Sequence, residues 1–80
     1  MKVEVYHLQK NVETFEHALS VTVPTPYGEK GFLPHHMTFI GTLSKGTIKI
    51  QASHLTQIPL EKGYVHFEDN VCKIFIIENS

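Results

Sequence analysis

Apolar and polar residues alternate along most of this chain. In residues 19–23 (LSVTV), Leu19, Val21 and Val23 fall on one side, Ser20 and Thr22 on the other, which is the period of an extended strand. Residues 47–51 (TIKIQ) repeat the pattern, with Ile48 and Ile50 set against Thr47, Lys49 and Gln51. Residues 64–67 (YVHF) place Val65 and Phe67 opposite Tyr64 and His66. In residues 71–77 (VCKIFII), Val71, Lys73, Phe75 and Ile77 alternate with Cys72, Ile74 and Ile76. Both of these last sets are largely apolar, which predicts a strand covered on both faces, with Lys73 reaching a sheet rim.

Turn-forming residues separate these runs. Pro24 and Pro26 flank a loop, Gly28 and Gly31 bracket Glu29 and Lys30, Ser44-Lys45-Gly46 forms a turn, and Glu68-Asp69-Asn70 reads as a hairpin connection. The best helical segment, residues 13–19 (ETFEHAL), is short and carries no i, i+3, i+4 apolar stripe. The closing Glu78-Asn79-Ser80 is an ordinary polar end. Roughly eight to ten short strands, with turns at close intervals, predict an all-β sandwich or barrel.

The chain's 80 residues make one domain, 1–80, near the lower limit for a self-sufficient core. Seven lysines, no arginine and eight acidic residues leave a net charge of −1, so there is no basic footprint for nucleic acid and no polybasic membrane anchor. The single cysteine, Cys72, cannot form an internal disulfide. The first residues alternate instead of forming a signal-peptide core, and no apolar run approaches the ~20 residues of a membrane-spanning helix. A soluble, intracellular protein is expected.

Six histidines (His7, His17, His35, His36, His54 and His66) raise the question of a metal site. Adjacent His35 and His36 point to opposite faces of an extended backbone, and neither H-x-H nor H-x₃-H spacing occurs. The alternative is a set of solvent-facing or interface histidines. Cys72 lies within a strand pattern, where a thiol is usually an inert small hydrophobe. No nucleophile elbow or phosphate-binding glycine loop is present. Glu29, between two glycines, is either a loop residue with a task or a solvated turn residue. The residues by themselves therefore imply a small all-β binding module without catalytic, cofactor or metal residues.

Residues 20–36 (SVTVPTPYGEKGFLPHH) resemble the central signature of the epsilon subunit of F-type ATP synthases, S-V-T-x-P-T, two residues, then G-E-x-G-x-L-P-G-H. Ser20, Val21, Thr22, Pro24, Thr25, Gly28, Glu29, Gly31, Leu33, Pro34 and His36 fall in register with it. Residues 14–18 (TFEHA), 43–50 (LSKGTIKI) and 62–76 (KGYVHFEDNVCKIFI) are similar to the family's flanking turns and hairpin, so the resemblance spans nearly the whole chain. His35 stands where the family usually has glycine, a position that favours a small residue. Met37-Thr38 replaces the usual A-P, removing a fixed φ. Family members usually continue into a C-terminal helical hairpin, whereas this sequence stops at Ser80. The inhibitory and ATP-binding properties of those helices are therefore not carried over.

The resemblance implies a sandwich of about ten strands in two five-stranded sheets. It also implies a non-catalytic place in the rotating central stalk, peripheral on the cytoplasmic face of a bacterial inner membrane. One side would pack on the gamma subunit and one end would rest on the c-ring, the chain meeting the membrane only through that ring. Gly28, Glu29, Gly31 and His36 are the c-ring-facing candidates, with Glu29 giving orientation more than affinity. Tyr6, Phe39, Tyr64, Ile74 and Ile76 are the gamma-binding candidates, because a permanent partner leaves an apolar patch. The two isoleucines suit the core equally well. A cupin-like metal-dependent enzyme and a free-standing β-sandwich adaptor are the alternatives.

Overall fold

A computed structural model describes residues 1–8 and 11–77; the polar tail at 78–80 lies outside them. Among the described residues there are nine strands and no helix. They are β1 (Lys2–His7), β2 (Val12–Phe15), β3 (Ser20–Thr25), β4 (Gly28–Phe32), β5 (Phe39–Leu43), β6 (Gly46–Gln51), β7 (Leu55–Leu60), β8 (Lys62–Glu68) and β9 (Val71–Ile77). They build two sheets. Sheet A has the order β2-β1-β9-β8-β5, and sheet B the order β4-β3-β6-β7. Only β1 and β9 run parallel. Sheet B thus holds four strands, one fewer than expected.

Alternation decides which side chains meet between the sheets. Val3 and Val5 of β1, Val65 and Phe67 of β8, and Cys72, Ile74 and Ile76 of β9 point inward from sheet A. Val21 and Val23 of β3, Phe32 of β4, Ile48 and Ile50 of β6, and Ile58 and Leu60 of β7 meet them from sheet B. Fully burying each such side chain is worth roughly 1.5–3 kcal/mol. Phe32 and Phe67 stack at 5.5 Å and close one end of this core.

Two of the chain's changes of sheet take very short connections. Glu61 alone joins β7 of sheet B to β8 of sheet A, and Ser44-Lys45 carries β5 over to β6. Ser44 N–H donates to the Pro24 carbonyl at 3.0 Å. Pro24 has no N–H, and the pairing of β3 with β6 stops at Thr22. Gly46 is needed there, since a Cβ on it would meet Pro24 Cβ at 2.7 Å. The β8–β9 connection is the predicted hairpin. Asp69 and Asn70 have φ of 52° and 62°, the paired positive values of a type I′ turn.

As their missing stripe implies, residues 13–19 form no helix: β2 ends at Phe15 and an irregular segment leads to β3. Three expectations change. Leu19 lies outside β3 and is exposed, although its N–H still reaches the Gln51 carbonyl at the sheet's end. Pro24 to Gly31 is not a loop; the turn is Pro26-Tyr27 alone, and Gly28 to Phe32 pairs with β3 residue by residue. β9 is buried on one face only, and Lys73 stands on the middle strand of sheet A instead of a rim.

Candidate functional site

Two regions carry the chemistry that the fold does not consume. The first is the corner where sheet B ends in β4 and sheet A ends in β5. Thr25 Oγ1 accepts the Tyr27 N–H at 3.1 Å and donates to the Gly28 carbonyl at 2.6 Å. Gly28 follows with φ 113°, a conformation that an L side chain rarely adopts. Along β4, Phe32 turns inward while Glu29 and Gly31 face outward. Glu29 extends over the outer face of sheet B, its Oε2 3.5 Å from Lys49 Nζ. Lys30 lies instead over aromatic rings, with Nζ 5.1 Å from the centre of Phe39 and 5.7 Å from that of Phe32, a cation–π arrangement.

Beyond β4, His36 N–H donates to the Leu33 carbonyl at 3.2 Å. Pro34 takes the second place of this turn and His35 the third, with φ 67°, which defines a type II turn. Asn70 Oδ1 holds the His35 N–H at 2.7 Å. The His36 ring meets Phe32 and Phe67 edge-on at 4.9 and 5.6 Å, and its Nδ1–H donates to the Met37 carbonyl at 2.7 Å. His36 thus plugs the end of the core, whereas Glu29 lies on the outside of sheet B. The fold does not bring these two residues together.

The second region is the outer face of sheet A. Strand register aligns Val12, Tyr6, Phe75, Tyr64 and Thr42 in one row across all five strands. Tyr6 and Phe75 stack at 4.8 Å, Tyr64 is 52% exposed and Phe75 38%. The Tyr6 hydroxyl donates to Glu4 Oε1 at 3.1 Å. Loss of hydration raises its pKa, and the hydrogen bond to the Glu4 carboxylate and that group's charge raise it further. A shallow hollow of about 410 Å³ runs beside this row, bounded by Leu8, Tyr64, Phe75 and Ile77.

Of the apolar candidates, Tyr6 and Tyr64 share this face. Phe39 does not; it packs at the corner against Phe32, 5.4 Å between rings. Ile74 and Ile76 are corrected outright, because they point into the core and are 0% and 2% exposed. Phe75 is the residue that the sequence reading passed over. The signal for it was there, since the alternation of residues 71–77 sets Phe75 opposite both isoleucines. Burial pushes the Cys72 thiol up to about 12, which keeps it protonated and unreactive. Among the described residues, no three His, Cys, Asp or Glu side chains gather as a metal-ligand set.

Residues 1–78 match the family model for the ATP synthase, Delta/Epsilon chain, beta-sandwich domain. The chain belongs to this family. Its fold is similar to that of a chain in the Tetrahymena thermophila mitochondrial ATP synthase central stalk and c-ring structure. There the TM-score is 0.83 at 19% identity, over 98% of this chain and 63% of that one. It is also similar to a chain of the Euglena gracilis mitochondrial ATP synthase, in a structure of OSCP, F1 and c-ring, with a TM-score of 0.77 at 21% identity. That match covers 95% of this chain and 49% of the other. The chain therefore spans from about half to just under two thirds of the length of these neighbours.

Within this delta/epsilon sandwich the resemblance's glycine positions divide by cause. Gly28 is required by its own φ. Gly31 is not: its φ is unexceptional, and a Cβ there would find only Thr22 Oγ1, at 4.0 Å. His35 occupies a left-handed position that glycine would fill without strain.

Proposed function

We propose that this chain is the sandwich of an epsilon-type central-stalk subunit of a rotary ATP synthase, coupling a gamma subunit to a c-ring without catalysing a reaction itself. The observation that carries the reading is the family match over residues 1–78. Gamma packs on the outer face of sheet A, where Tyr6, Phe75 and Tyr64 offer aromatic area beside exposed Ile40. Aromatic residues in such a cluster supply much of an interface's energy. The c-ring meets the β4–β5 corner, with Gly28, Glu29 and Gly31 along the edge and His36 holding the loop from behind.

Stiffness is what a coupling element needs, and two sheets with a shared core provide it. As part of that complex the chain is peripheral to a membrane, on the cytoplasmic face in a bacterial cell, and reaches the bilayer only through the ring. The test is a calorimetric titration of the chain with the gamma subunit of the same synthase. One-to-one binding that Tyr64→Asp weakens and Glu29→Ala leaves unchanged is the expected result. A folded chain that does not bind gamma overturns the proposal.

A further inference from the structure

This inference rests on the reading of the β4–β5 corner as the c-ring contact, and it concerns the chemistry of the segment that docks there. We propose that β4 takes up an added strand: an extended stretch of a c-ring subunit pairs with the backbone of Glu29 and Gly31 and sets a carboxylate opposite Lys30.

Which backbone groups are free follows from Pro24. Its carbonyl accepts the Ser44 N–H, so the N and O of Pro24 turn away from β4. In an antiparallel pair, opposite residues alternate between exchanging hydrogen bonds and not doing so. Pro24 stands opposite Glu29 and Thr22 opposite Gly31. Both are therefore non-bonded pairs, and the N–H and C=O of Glu29 and Gly31 point outward along the edge of sheet B. β4 is the terminal strand of that sheet. Open edges of this kind accept an incoming strand. Beside the edge lies a groove of about 440 Å³, lined by Tyr27, Lys30, Phe39 and Ile40, with Tyr27 wholly exposed.

Lys30 selects the occupant. A second copy of this chain, paired so that both sets of outward groups bond, matches Glu29 with Gly31 of its twin. That register sets each Lys30 directly against the other, and like charges directly opposite are destabilising. A charged residue on an edge strand acts against self-pairing in this way. A segment with Asp or Glu in the central place turns the same position into an attraction. Among the described residues, Lys30 has no carboxylate within 4 Å, and Glu29 is engaged with Lys49.

The test uses the complex of this chain with gamma and measures its affinity for c-rings in nanodiscs. Lys30→Glu is expected to weaken binding about 100-fold, with a smaller loss for Lys30→Gln. Gly31→Pro removes only an outward N–H, which an edge strand tolerates, and is expected to cost about tenfold. Unchanged gamma affinity shows that each variant is folded. If the wild-type complex binds the ring and none of the three variants weakens it, the strand-addition proposal falls while the c-ring reading stands. If the wild-type complex ignores the ring, the reading itself falls. A wild-type chain that dimerises through β4 in sedimentation also overturns the proposal, in favour of a second copy.

Discussion

The two outer faces of this sandwich are made by the same alternation and yet differ in kind. On sheet A the outward positions carry Tyr6, Tyr64 and Phe75, with Glu4, Lys73, His66 and Ile40 in the adjacent row. On sheet B they carry Ser20, Thr22, Lys49, Gln51 and Gln57, with Glu29 at the edge and exposed Leu55 at the start of β7. Between the sheets, every buried side chain among the described residues is apolar. A strand's inward residues are dictated by the core and say nothing about partners; its outward residues are free, so aromatic ones there ask for a reason. That difference is what supports the proposed gamma contact on sheet A.

The largest way to break that contrast is to remove sheet A itself. A Cβ on Gly63 would overlap the Phe75 carbonyl oxygen on the neighbouring strand, and that backbone cannot move without parting β8 from β9. Gly63→Ala is expected to cost about 3 kcal/mol, a large share of the stability of so small a domain, read as a lower urea midpoint.

Next, Phe75→Asp places a charge in the aromatic row without touching the core. Gamma affinity should fall about 100-fold, while Gln57→Asp on sheet B changes it by less than about twofold. Equal losses from the two variants would show that the faces do not differ in function.

Alkali tests the inner side of sheet A. The Cys72 thiol is raised from an ordinary value of 9.0 to about 12 by burial, so the folded chain favours the protonated form. Its contribution is complete below pH 9 and declines as the pH rises from 9 towards 12. Cys72→Ala should flatten that decline in thermal melts. At pH 8 a thiol reagent should label Cys72 only as fast as the sandwich opens.

The smallest effect lies in the link between the two sheets. His35 pays the left-handed penalty at φ 67°. His35→Gly is expected to stabilise the chain by about 0.5–1 kcal/mol, leaving gamma affinity unchanged, as measured by paired denaturation and titration.

Much of this was legible in the sequence. Strands β6, β8 and β9 follow from residues 47–51, 64–67 and 71–77, whose period of two fits no helix, and the Asp69-Asn70 turn from its residue types. β4 was hidden, because two glycines and two charges in five residues resemble a turn; what makes it a strand is its partner β3, a contact from outside the segment. The epsilon-type signature located the corner in the chain but put Glu29 and His36 together. Backbone direction separates them, one over the outside of sheet B and the other against Phe32 and Phe67.

The sequence by itself determined which residues share a face, because the period of two is a local property of extended backbone and needs no neighbour. Only the tertiary structure decided which of two apolar faces is the core. Residues 71–77 offer Cys72, Ile74 and Ile76 on one side and Val71, Phe75 and Ile77 on the other, and local preference does not choose between them. Packing against sheet B does, since turning β9 over would place Lys73 among buried side chains and leave its charge without water. The same choice turned Phe75 outward and, through the register of β1 and β8, lined it up with Tyr6 and Tyr64.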